Sequence, residues 1–233
     1  MSPRYTALMA SLPPLGGLFE ARTPAISRLK LERRLGLLEA DDRHRLELAA
    51  AILSQSLRPA EPVSNSTDAH LLEQTQTFFR VVTNPLLRHL VSHRLDLRTV
   101  LAALRRRHRG ELDPPLGQPW GFGPWVPTIE RHWKEPTLRL EAVFPWISES
   151  VRLLEADDLI NLERLQFSLI WKELDRVALG HHFDFEAVTV YLVRWSLVER
   201  WCNFDAQAAT ARFRHLVTAG LGTFADLQAV PSL

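Results

Sequence analysis

The stretch Asp158-Leu159-Ile160-Asn161-Leu162-Glu163-Arg164-Leu165-Gln166-Phe167-Ser168-Leu169-Ile170 decides the fold class. Leu159, Leu162, Leu165, Leu169 and Ile170 return at three- and four-residue intervals. That is the period of an amphipathic helix and not the alternation of a strand. The spacing predicts a helix over 158–179, stopped by Gly180. Beyond it, Asp184 is the expected N-cap of a helix from Phe185 to about Trp201. Val188, Tyr191, Leu192, Trp195 and Val198 make that helix apolar on most sides, so it belongs inside, with Trp195 and Trp201 in the core. Asp205 is the expected cap of one more helix, ending near Gly220.

Toward the N-terminus the pattern repeats with interruptions. A helix is expected over 137–154, kinked or broken at Pro145. Residues 111–127 hold Pro114, Pro115, Pro119, Pro124 and Pro127 with Gly117, Gly121 and Gly123, a density of breakers that no helix survives. Trp120, Phe122 and Trp125 in the same stretch call for partial packing against a helical body. Asp96 reads as the cap of a helix with Leu97, Val100, Leu101 and Leu104 on one face, and Arg98, Arg105, Arg106 and Arg107 mostly off it, up to Gly110. Asn84-Pro85 starts another helix, and 68–83 a further one. Residues 58–67 read as a loop, Asp41 or Asp42 as a cap, and Thr23-Pro24 as the start of a helix reaching about Ala40. At most, Tyr5 to Ala10 could be extended. The expected fold is all-α.

Leu37-Leu38-Glu39-Ala40-Asp41-Asp42 recurs unchanged as Leu153-Leu154-Glu155-Ala156-Asp157-Asp158, and Leu46-Glu47 is echoed by Leu162-Glu163. Capping accounts for the aspartates, not for the leucines and alanine. The repeat predicts two pseudo-repeated helical lobes, 1–110 and 137–233, joined by a Pro/Gly/Trp-rich crossing at 111–136.

Composition narrows the function. With 46% apolar residues the chain can build a core. Its 28 basic and 27 acidic residues lack the basic excess of a dedicated nucleic-acid binder, so no nucleic-acid partner is expected. The single cysteine, Cys202, fits a reducing compartment and, beside Trp201, reads as a small apolar side chain. The opening residues are too interrupted for a secretory signal, and no segment nears the roughly 20 apolar residues that span a bilayer. The expected location is cytoplasmic, peripheral to the inner membrane only through partners, without direct insertion.

No catalytic constellation is present in the sequence. Neither G-x-x-x-x-G-K-[ST] nor G-x-G-x-x-G nor G-x-S-x-G occurs. His89 and His93 share a helix face but lack the glutamate of a zincin and a third ligand. His181 and His182 are adjacent and point apart. No catalytic residue, cofactor or metal is therefore expected. The densest basic run, Arg105, Arg106, Arg107, His108 and Arg109, reads either as a solvated helix C-terminus or as contact for an acidic partner.

Three stretches carry a family resemblance. Tyr5-Thr6-Ala7-Leu8-Met9-Ala10-Ser11-Leu12-Pro13 resembles the opening of an uncharacterised bacterial family encoded within V/A-type ATPase operons. Leu95-Asp96-Leu97-Arg98-Thr99-Val100-Leu101-Ala102-Ala103-Leu104-Arg105-Arg106-Arg107 resembles its second signature, and a segment of the V-type C/d stalk subunit, with Thr99 where that segment has Asn. Trp171 to Asp175, His182 to Val188 and Val198 to Trp201 are similar to the family's C-terminal half. The resemblance implies a non-catalytic stalk, coupling or assembly subunit of a rotary ATPase. Its partners would be the central shaft or the membrane rotor, with Arg105, Arg106, Arg107 and Arg109 as candidate contacts. The alternatives are a helical adaptor or scaffold unrelated to an ATPase, and an enzyme with an unrecognised helical site.

Overall fold

The computed structural model describes residues 3–55, 65–115, 117 and 120–204. Its order is α1 (Pro3–Ser11), α2 (Arg28–Leu35), α3 (Ala40–Gln55), α4 (Asn65–Val81), α5 (Pro85–His108), α6 (Val126–Arg131), α7 (Ile147–Glu155), α8 (Leu159–Val177) and α9, residues 185–204. The all-α expectation holds: no strand occurs among the described residues.

The fold is organised around α5. At 24 residues it extends about 36 Å. From Arg94 to Leu104 only Asp96 is not buried. Helix α3 packs on it from one direction and α6, α7 and α8 from others, while α4 packs on α3. Asn84 caps α5, its side-chain oxygen accepting from the Leu87 N–H at 2.9 Å, with Pro85 opening the helix as its sequence predicts.

The expected break at Asp96 is absent. Leu87, Leu90, Val91 and Leu95 continue the buried surface upstream, and a capping side chain acts only where backbone N–H groups are orphaned. Asp96 instead faces the Trp120-Gly121-Phe122-Gly123-Pro124-Trp125 loop. Thr99 Oγ1 donates to the Phe122 carbonyl at 3.1 Å and accepts from the Phe122 N–H at 2.8 Å. Within this loop Trp120 and Phe122 are buried and Trp125 is half-buried, the partial packing that its three aromatics call for. Arg98, expected mostly off the apolar face, is buried, its Nη1 donating to the Gln55 carbonyl at the end of α3 at 3.4 Å.

Gly123 is the tightest point of that docking. Its φ is +85°, and a Cβ there would lie 2.6 Å from Asp96 Oδ1. Gly123→Ala is expected to cost about 1–3 kcal/mol in urea denaturation, from strain and collision together. Asp96→Ala in the same chain should recover the collision share. An equal cost with and without Asp96 would overturn this account.

Other boundaries moved. Thr23-Pro24 does not start a helix; α2 begins at Arg28 after Ser27 and ends at Leu35, short of Ala40. Asp41 and Asp42 lie inside the first turn of α3 and complement its dipole without capping it. Tyr5 to Ala10 is helical, within α1. Residues 137–146 are turns and the helix starts only at Ile147, after Pro145. Pro127 sits in the first turn of α6, where its missing N–H has no consequence, so a short helix survives at the end of the breaker-rich segment. The 58–67 loop falls largely outside the described residues, as does the Asp205–Gly220 helix. Asn65 to Thr67 belong to α4.

The two copies of Leu-Leu-Glu-Ala-Asp-Asp lie at helix–turn–helix joints but in different registers. In the first, Leu37 and Leu38 are in the turn and Ala40 opens α3. In the second, Leu153 to Glu155 end α7, and Asp158 caps α8, accepting from the Asn161 N–H at 3.1 Å. Leu37 is 51% exposed and its counterpart Leu153 4%. The halves also interlock: residues on both sides of the 111–136 crossing contribute to one hydrophobic core.

Candidate functional site

The α8–α9 turn gathers a histidine and two carboxylates beside a cavity. Helix α8 stops at Val177, and Gly180, at φ +85°, turns the chain as its sequence predicts. Asp184 then caps α9, Oδ1 accepting from the Ala187 N–H at 2.8 Å. Its other oxygen, Oδ2, meets His181 Nδ1 at 2.7 Å. Two residues on, Glu186 Oε1 accepts from Asn84 Nδ2 at 2.9 Å. Asn84 thus caps α5 with its oxygen and holds Glu186 with its nitrogen, tying the N-termini of two helices together.

Ligand atoms of His181, Asp184 and Glu186 lie within 4.8 Å of one another, and each residue is half-buried. Among the described residues this group has the composition and spacing to hold a metal ion. The sequence reading considered His181 and set it aside because its neighbour His182 points away. It had no means of bringing Glu186 and Asn84 to the same place.

A cavity of about 420 Å³ opens beside this turn, between the α1–α2 connection and α8 and α9. Leu12, Pro13, Trp171, His181, Tyr191 and Arg194 are among its walls. The Tyr191 hydroxyl donates to the Pro13 carbonyl at 2.8 Å, and burial raises its pKa. The Arg194 guanidinium pairs with Asp175 and lies 5.3 Å from the centre of the Trp171 ring.

On another side of α8, Glu173 receives the Arg176 guanidinium and His89 Nε2. Burial alone would raise the Glu173 pKa, but these donors and the nearby His93 outweigh it and hold the carboxyl at about 2. His89 and His93 do share a face, with ring centres 6.3 Å apart. His93 is half-buried, not exposed, and burial pushes its pKa down to about 4.

The four arginines singled out by the sequence gather at the C-terminal end of α5, each engaged within the chain. Arg105 pairs with Glu163 at 3.4 Å, both largely buried. Arg106 and Arg109 both reach Glu111, at 2.9 and 3.2 Å. Arg107 donates to the Pro136 carbonyl at 2.8 Å. Further up the helix, Arg94 is 2% exposed and its Nη1 has no hydrogen-bond partner among the described residues. Burial, with the charge of Arg200, lowers its pKa to about 9. Sequence periodicity placed neither Arg94 nor Arg98 inside. Cys202 is half-buried with Sγ 3.3 Å from the Ala21 carbonyl, in keeping with a packing role.

Fold and site together define an all-α protein built round one long central helix, with a histidine–carboxylate cluster at the turn into its last described helix. No helix among the described residues is long and apolar enough to cross a membrane. Residues 66–220 match DUF2764, a family described as proteins of unknown function, and the chain belongs to that family. No curated protein matches it. No solved structure matches it either.

Proposed function

We propose that the chain is a non-catalytic coupling or assembly subunit of a bacterial V/A-type rotary ATPase, acting at the central shaft or membrane rotor. The observation that carries this reading is the resemblance of residues 95–107 to the stalk-subunit segment. That segment is the buried middle and C-terminal end of α5. Thr99, which stands in place of the stalk segment's Asn, fastens the 120–125 loop to the helix. Mechanical coupling needs a body that does not shear. A long helix enclosed in a single core, clamped by reciprocal hydrogen bonds, supplies stiffness of that kind. The same reading assigns nucleotide hydrolysis to other subunits.

The test is purification of the tagged chain from its own cells under conditions that keep the rotary complex intact. Co-purification of ATPase subunits is expected. Their repeated absence, with other proteins recovered in constant proportion, would favour the adaptor reading instead. The arginine contact needs a careful choice of variant. Arg105 is held against Glu163 inside the protein, so reversing its charge disturbs folding and assembly together. Arg109, with 38% of its side chain exposed, separates the two. Arg109→Glu is expected to weaken recovery of partners while leaving the melting temperature within about 2 °C, since surface pairs contribute little. Undiminished recovery would remove this residue from the interface.

A further inference from the structure

We propose that His181, Asp184 and Glu186 form a binding site for one divalent transition-metal ion of the zinc type, which locks the α8–α9 turn to the start of α5. The site stands on this chain's own residues and is independent of the ATPase reading.

The donor set is one imidazole and two carboxylates, which suits zinc and its first-row neighbours better than calcium or magnesium, whose sites are built from oxygen. Donor atoms round such an ion are bonded at about 2.0–2.2 Å and therefore lie about 3–4 Å apart. Here Nδ1 of His181 and Oδ2 of Asp184 are already 2.7 Å apart, and all three groups fall within 4.8 Å. The proposed ligand atoms thus already lie near the separation that a bound ion requires.

Orientation of the ligands is the stronger argument. A capping aspartate needs only one oxygen for its task, and Asp184 uses Oδ1 on Ala187. Glu186 likewise has Oε1 fixed by Asn84. Each carboxylate is held through one oxygen by a donor that is itself anchored in a helix N-terminus. Outer-shell support of this type recurs at metal centres. Two carboxylates beside the N-terminus of α9 bring more negative charge than the half charge of its dipole offsets. Of the three proposed ligands, His181 also lines the neighbouring cavity.

The experiment titrates chelator-treated full-length protein with Zn²⁺ by calorimetry and with Co²⁺ by visible absorption. One equivalent of zinc at micromolar affinity or tighter is expected, with a rise in melting temperature and cobalt d–d bands of a mixed nitrogen–oxygen site. His181→Ala and Glu186→Gln should each weaken binding at least about tenfold. His89→Ala with His93→Ala should leave it unchanged. No saturable zinc binding overturns the proposal. So does binding that survives His181→Ala and Glu186→Gln, or that is lost in the His89/His93 variant. Melting of each metal-free variant separates loss of the site from loss of the fold.

Discussion

Replacing Trp195 by alanine is expected to lower the melting temperature by about 6–20 °C. Large-to-small aromatic substitutions in a core cost about 3–5 kcal/mol, and each kcal/mol moves a chain of this size by about 2–4 °C. Trp195 has every feature that places it at the high end. It is 3% exposed, and its indole N–H donates to the Ile26 carbonyl at 2.8 Å. Arg28 lies 5.6 Å from its ring centre and also pairs with Glu199 on the same helix. Truncation would open a cavity, orphan a carbonyl, and loosen the segment before α2 from α9. Trp195→Phe keeps most of the volume and should cost about 1–3 kcal/mol, the share due to the orphaned carbonyl. Differential scanning calorimetry checks both. An unchanged melting curve for the alanine variant would place Trp195 outside the cooperative core.

Acid is expected to destabilise the protein between pH 7 and pH 3, and the three groups shifted furthest in that range set the sign. His93 has a folded pKa of about 4 against 6.5 when unfolded, so the unfolded chain binds more protons between those values. Its contribution is complete above pH 6.5 and is lost as the pH falls to 4. Glu173 is held at about 2 against 4.5, so its contribution is lost as the pH falls from 4.5 through 2. Asp96 works the other way. Burial raises its pKa from 3.8 to about 6, so its burial costs most above pH 6 and is relieved in acid. Urea denaturation at half-unit intervals resolves these legs. His93→Gln should flatten the profile between pH 6.5 and 4, and Glu173→Gln between 4.5 and 2. Identical profiles for both variants and the parent would refute the assignment.

The candidate site was legible only in part. Asp184 was readable as a cap because N-capping depends on residues within one turn. Its partnership with Glu186 and Asn84 was not, because Asn84 lies 102 residues away from Glu186 and reaches it only once α5 and α9 have packed. The arginine run was visible as a charge cluster with Glu111 just beyond it, but the partner of Arg105, Glu163, comes from α8 and lies 58 residues away. The identical Leu-Leu-Glu-Ala-Asp-Asp strings misled in an instructive way. A short string fixes local propensity, and the flanking residues decide which of its positions ends or begins a helix. With Gly36 before it, the first copy lies after a helix end; with Ile147 to Arg152 before it, the second continues one.

By itself the sequence determined the all-α class, the Asn84-Pro85, Asp158 and Asp184 starts, the Gly180 stop, and the burial of Trp195 and Trp201. These follow from helical period, from capping chemistry and from the backbone freedom of glycine, all of which act over a few residues. Only the tertiary structure decided that α5 runs unbroken through Asp96, that Arg94 and Arg98 are buried, and that the two halves share one core. Those outcomes depend on what packs against a helix face, and the 120–125 loop that covers α5 comes from more than ten residues beyond its end. Local sequence fixes which side of a helix is apolar. Whether its polar side meets water or protein is settled only when the chain has closed upon itself.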